Sequence, residues 1–177
     1  QDIYAARVGT DGVLIDPMWV AVASAPGDQL APRLALGPAE ALVVWTDQPT
    51  WMEANVYGAR FGADGTVLDL SGIPIAASSS LDLSPAVAFA GTDFVTVWTD
   101  NRTTWWDVWG SRVDPTGSVV DAPGFVVSPT ANIEQAPAIG FDGTTYLAVW
   151  EDDRNGGHDV YGARFTASGR PLDPAGI

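Results

Sequence analysis

Asp107-Val108-Trp109-Gly110-Ser111-Arg112-Val113 is one of four near-copies of the same heptapeptide. The others are Asp2-Ile3-Tyr4-Ala5-Ala6-Arg7-Val8, Asn55-Val56-Tyr57-Gly58-Ala59-Arg60-Phe61 and Asp159-Val160-Tyr161-Gly162-Ala163-Arg164-Phe165. Their aromatic residue falls at 4, 57, 109 and 161, a step of 52 or 53 residues. Other positions keep this step: Gly12, Gly65, Gly117 and Gly169; Asp16, Asp69, Asp121 and Asp173; Trp45, Trp98 and Trp150; Pro32, Pro85 and Pro137. Glycines, tryptophans and arginines held in one register define an internal repeat, and a fixed period of this size decides the architecture.

The copy that begins at Pro85 reads most clearly. Pro85 to Phe89 is a short apolar run, Gly91-Thr92-Asp93 a turn, and Phe94 to Thr99 a β-branched and aromatic run, which together predict a hairpin. Val108 to Val113 is a third strand closed by Asp114-Pro115-Thr116-Gly117, and Gly124 to Val127 a fourth, ended by Ser128-Pro129. No segment sustains a 3.6-residue apolar period, so the expected fold class is all-β. Both faces of the second strand, Phe94/Thr96/Trp98 and Val95/Val97/Thr99, carry apolar bulk, as in a sheet covered on both sides. Four short antiparallel strands per repeat predict β-propeller-type blades, about 3.5 repeats of 52–53 residues. A pair of β-sandwich modules is the rival, but it gives no reason for the internal step. The expected division is a partial blade over 1–31, blades over 32–84 and 85–136, and a partial blade over 137–177.

Val97-Trp98-Thr99-Asp100-Asn101-Arg102 followed by Asp107-Val108-Trp109, and Val149-Trp150-Glu151-Asp152-Asp153-Arg154 followed by Asp159-Val160-Tyr161, resemble the repeats of bacterial and archaeal cell-surface β-propeller proteins. The resemblance covers essentially the whole chain and implies an extracellular repeat domain. It implies no particular activity, because that family has none in common.

With 22 Asp+Glu against 8 Lys+Arg the formal charge is −14, which argues against nucleic acid or an anionic membrane as partner. The chain has no Cys, which removes disulfides, thiolate metal sites and cysteine nucleophiles, and its single His, His158, precludes a histidine-rich metal site. No apolar run approaches the ~18 residues of a membrane helix, and the chain is expected to be a processed or excised part of a longer protein. An acidic, lysine-free composition suits an extracellular protein.

Six of the eight arginines occupy repeat positions: Arg7, Arg60, Arg112 and Arg164 on the third strand, Arg102 and Arg154 in the turn before it. Asp100 and Asp107, and Asp152 and Asp159, are expected to pair with the turn arginines. In the first full copy the turn arginine is replaced by Pro49 and the strand-leading Asp by Asn55, so opposite charges disappear together, as a structural ion pair requires. The alternative, Ca²⁺ held by Glu151, Asp152 and Asp153, is weaker: no Asp-x-Asp-x-Asp-Gly loop is present and an arginine sits in each intact turn. No cofactor is expected.

Trp51, Trp105, Trp106 and His158 lie between the second and third strands. They cap the blade or, alternatively, offer rings to a sugar. No Gly-x-Ser-x-Gly elbow, phosphate-binding glycine loop or zinc-helix motif is present. The expected function is therefore a non-catalytic extracellular interaction or adhesion module. A carbohydrate-binding propeller is the second reading and a fragment of a propeller hydrolase the third. Because about 4–8 blades are needed for closure, the chain is expected to associate with another copy of itself or to belong to a longer array, with a surface glycan or protein as further partner.

Overall fold

The computed structural model describes every residue except Pro129 and Ala175. Among the described residues thirteen strands form four antiparallel sheets that follow one another along the chain. The first holds β1 (Ile3–Ala5) and β2 (Val20–Ala23); the second β3 (Asp28–Leu36), β4 (Glu40–Thr50), β5 (Glu53–Gly62) and β6 (Ile73–Ala76). The third holds β7 (Asp82–Phe89), β8 (Phe94–Asp100), β9 (Asp107–Val113) and β10 (Phe125–Ser128), and the fourth β11 (Glu134–Phe141), β12 (Tyr146–Asp152) and β13 (Asp159–Phe165). Each full sheet is a meander whose neighbours in sequence are neighbours in space. No helix occurs among the described residues. Pro129, expected to end β10, lies outside them.

Alternation along the second strand of each sheet makes the stack. Ala41, Val43 and Trp45 of β4 face Ile3 and Val22 of the first sheet, whereas Leu42 and Val44 face Phe94 and Trp98 of the third. Val95 and Val97 of β8, on the opposite face from Trp98, pack against Tyr146, Ala148 and Trp150. A period of two therefore turns one strand into lining for two cores. The repeat tryptophans Trp45, Trp98 and Trp150 are all buried in these junctions.

The inner strands begin three or four residues before the prolines at which the sequence divides into repeats. Ala31, Ser84 and Ala136, each directly before a repeat proline, take φ of 50°, 52° and 50° at a break in register with the neighbouring strand. The proline brings no N–H to a ladder that is already interrupted there, so the bulge extends the strand backwards past it.

A second device links the blades. Arg7, Arg60, Arg112 and Arg164 each grip the aspartate nine residues on: Asp16, Asp69, Asp121 and Asp173. In each pair the arginine backbone N–H donates to the carboxylate as well, at 2.7, 2.9, 3.1 and 2.9 Å. Arg7 Nη1 then donates to the Ala63 carbonyl and Arg60 Nη1 to the Pro115 carbonyl, each at 2.7 Å and each on the next sheet's turn. Gly65 and Gly117, with φ of 92° and 87°, let those turns approach the guanidinium, where a Cβ would lie 2.7 and 3.0 Å from its nitrogens.

Candidate functional site

One end of the second, third and fourth sheets carries a row of three polar residues, one from each of the first three strands. The rows are Asp82, Asp100 and Asp107; Glu134, Asp152 and Asp159; and Gln29, Asp47 and Asn55, adjacent in register in each case. Gln29, Asp82 and Glu134 keep the repeat step, a signal present in the sequence but not used in its reading.

In the third sheet Arg102 Nε donates to Asp100 Oδ2 at 2.6 Å and its backbone N–H to Oδ1 at 2.7 Å. Trp98 Nε1 donates to Oδ2 at 3.2 Å. The guanidinium lies 4.0 Å above the Trp109 ring, and Nη1 donates to the Pro123 carbonyl at 2.9 Å. The fourth sheet repeats this: Arg154 Nε donates to Asp152 at 2.8 Å, Trp150 Nε1 to Asp152 at 3.2 Å, and the guanidinium lies 3.8 Å over Tyr161. Arg154 also comes within 3.7 Å of Glu134.

Packing carboxyls side by side separates their protonation. Burial and the neighbouring Asp100 push Asp82 up to about 7. Burial also raises Asp100, but hydrogen bonds from Arg102 and Asp82 outweigh it and leave the group below the usual carboxylate range. Burial pushes Glu134 up to about 7 despite hydroxyl hydrogen bonds from Ser128 and Thr130, each at 2.7 Å. Asp152 is held low by Arg154 and Trp150 against the pull of burial.

The other members of the expected pairs do not meet an arginine. Asp107 accepts from the Thr103 hydroxyl, and burial raises it. Asp159 is exposed and accepts from Asn155 Nδ2 at 3.2 Å. The disappearance of charge in the first full copy therefore has a wider basis than one pair: with Pro49 in place of the arginine, both flanking acids of the row become the amides Gln29 and Asn55. Of the residues considered for Ca²⁺, Asp152 is engaged by Arg154, Asp153 Oδ1 accepts the Ile133 N–H at 2.8 Å, and Glu151 is exposed. No group of three or more His, Asp or Glu able to hold a metal ion exists among the described residues.

Trp51, at 83%, Trp105 and His158 lie exposed, whereas Trp106 is half-buried. Trp51 lines a hollow with Asp28, Gln48 and Thr50, and Trp105 another with Thr103, Asp107 and Thr130. A cavity of about 290 Å³, lined by Val22, Trp45, Asp47, Tyr57 and Ser71, separates β2 from the second sheet.

No family model matches the sequence, and neither does any curated protein. Solved structures do match. An endo-arabinase from Bacteroides thetaiotaomicron superposes with a TM-score of 0.59 at 14% identity, over 90% of this chain and 66% of its own. Bacteroides ovatus xyloglucan PUL GH43B gives 0.58 and 17%, over 88% and 33%. An α-L-arabinofuranosidase from Lactobacillus brevis gives 0.57 and 15%, over 96% and 64%. The fold is that of a β-propeller. The propeller segment in hand spans one third to just under two thirds of these structures.

These matches overturn two expectations, that the propeller is a non-catalytic interaction or adhesion module and that it has no enzymatic role. Structures sharing the fold over some nine tenths of the chain are those of glycosidases. The motifs whose absence argued against catalysis belong to serine, phosphate and zinc chemistry, whereas a glycosidase needs only two suitably placed carboxyls. No helix among the described residues is long and apolar enough to cross a membrane.

Proposed function

We propose that this chain is part of a β-propeller glycoside hydrolase acting on a plant-type polysaccharide, arabinan being the first candidate. The likeness of its fold to arabinan-directed glycosidases carries this reading. Within the chain, the exposed rings of Trp51 and Trp105 beside carboxylates and hydroxyls supply the sugar-stacking surface. The buried couples Asp82–Asp100 and Glu134–Asp152 have the divergent protonation that acid–base catalysis uses, but their burial assigns them to holding strands together. The catalytic carboxyls are then accessible ones, and the substrate face is completed by further blades, from a second copy or from more repeats. An extracellular site of action, like that of cell-surface repeat propellers, fits an enzyme for polymeric substrates.

Reducing-sugar release from linear arabinan and from xyloglucan, with tryptophan fluorescence on titration of the same glycans, tests this. Release of oligosaccharides, with affinity reduced by Trp105→Ala, is expected. Quenching without release overturns the hydrolase in favour of a carbohydrate-binding propeller, and neither response overturns both.

A further inference from the structure

The second sheet repeats the arginine site of its neighbours without the arginine. Asp47 corresponds to Asp100, Tyr57 to Trp109, Ser71 to Pro123 and Trp45 to Trp98, each 52 or 53 residues apart, and all four line the 290 Å³ cavity beside β2. In the third sheet the corresponding space holds the Arg102 guanidinium, bonded to the carboxylate, lying on the aromatic ring and donating to the turn carbonyl. Here the turn residue is Pro49.

A buried polar atom lining this cavity, and another on the residue that donates to Asp47, have no partner among the described residues. Trp45, 3% exposed, leaves Nε1 without an acceptor, although Trp98 and Trp150 each donate to their aspartate. Gln29, 2% exposed, donates from Nε2 to Asp47 Oδ1 at 3.1 Å but leaves Oε1 without a donor. Its counterpart Glu134 is the group that Arg154 approaches at 3.7 Å. The Trp45 indole thus sits where a guanidinium bound to Asp47 would draw the carboxylate round towards its N–H, as Arg102 and Arg154 accompany the aspartates that accept from Trp98 and Trp150. Orphaned buried groups of this kind are uncommon and costly.

We infer that this cavity is a binding site for a guanidinium cation. Its parts are a carboxylate for charge-assisted hydrogen bonds, the Tyr57 ring for the cation's face and the Ser71 backbone for a further N–H. The net charge of −14 favours cation entry. A guanidinium is planar and a fork of donors, so the site prefers it to an ammonium of equal charge.

The test follows the Trp45 indole N–H, identified as the ¹H–¹⁵N signal missing in Trp45→Phe, while methylguanidinium chloride is added at concentrations far below those that unfold proteins. Methylammonium chloride at the same ionic strength and urea, the neutral analogue of guanidinium, are the controls. A saturable shift with methylguanidinium that urea does not produce is expected, weakened about tenfold or more in Asp47→Asn and in Tyr57→Leu. If the signal instead moves with protein concentration alone and methylguanidinium reverses the change, the guanidinium comes from an arginine of a second copy. Absence of a saturable shift, an equal response to urea, or unchanged affinity in whichever of the two variants stays folded overturns the site.

Discussion

Arg60 holds Asp69, nine residues on, through its backbone N–H at 2.9 Å and its guanidinium at 2.8 Å, and spends its remaining nitrogen on the Pro115 carbonyl of the next sheet. One side chain thus closes the crossover of its own blade and fastens the following one. The geometry needs a planar fork of donors, which a lysine lacks.

Replacing Arg60 by Ala is therefore expected to destabilise the protein by about 2 kcal/mol, and Arg60→Lys to recover little of it. Arg33, whose exposed side chain donates to the adjacent Pro32 carbonyl, is the control, with no change expected on Arg33→Ala. Urea denaturation of the three variants measures this.

Arg102→Ala strands the Asp82–Asp100 couple without its cation. A loss of about 3 kcal/mol is expected, and adding Asp82→Asn to the same chain should restore part of it by removing the second acid. This double change imitates the second sheet, where Pro49 goes with Gln29. Equal stability of the single and double variants in denaturant titration would show that the row is not electrostatically coupled. Because Arg102 is structural in this account, Arg102→Ala is expected to leave glycan binding intact under conditions where it stays folded.

Asp82 and Glu134 titrate at about 7 in the folded chain, above their unfolded values. Between about pH 4 and pH 7 the folded state therefore binds more protons than the unfolded one, so these two groups lower stability as pH rises through that window. The crossover acids act in the opposite sense. Asp16, Asp69, Asp121 and Asp173 are held low, chiefly by hydrogen bonds from their arginines, so their contribution is present above the unfolded pKa and is lost as pH falls through the folded one. Thermal stability is expected to be greatest in mildly acidic solution. Asp82→Asn with Glu134→Gln should flatten the decline towards neutral pH, and melting curves across pH read it directly.

The two ends of the stack motivate the last expectation. Ile177 exchanges hydrogen bonds with Gly162 at 3.0 and 2.7 Å, in the position where β6 and β10 begin in the preceding sheets. The Arg164 side chain, which has no following sheet among the described residues, is 55% exposed. At the other end Trp19 and Met18 are 73% and 79% exposed. Large apolar side chains exposed side by side invite a partner surface, and light scattering is expected to give a mass above the 18.6 kDa of one chain. A cooperative monomer would rule self-association out.

The repeat was legible in the sequence because packing between sheets demands the same residue at the same place every time. Trp45, Trp98 and Trp150 recur for this reason, and their alternating neighbours announced strands buried on both faces. The strand starts were less legible: Pro32, Pro85 and Pro137 look like breaks, yet each sits inside a strand whose register is already interrupted by the residue before it. The pairing of Arg60 with Asp69 was visible only as a constant spacing of nine, since nothing in a linear chain says that a crossover folds back to that distance.

By itself, then, the sequence determined the period, the strands, the blade architecture and the identity of the charged residues, all of which follow from local pattern and apolar alternation. Tertiary structure alone decided which charges meet. Asp107 and Asp159 lie beside the arginine-bearing acids in register, but Arg102 and Arg154 turn back to Asp100 and Asp152, and Gln29 reaches Asp47 from another strand. Hydrogen bonds act over about 3 Å, and only the folded sheets bring residues 18 or more positions apart within that range.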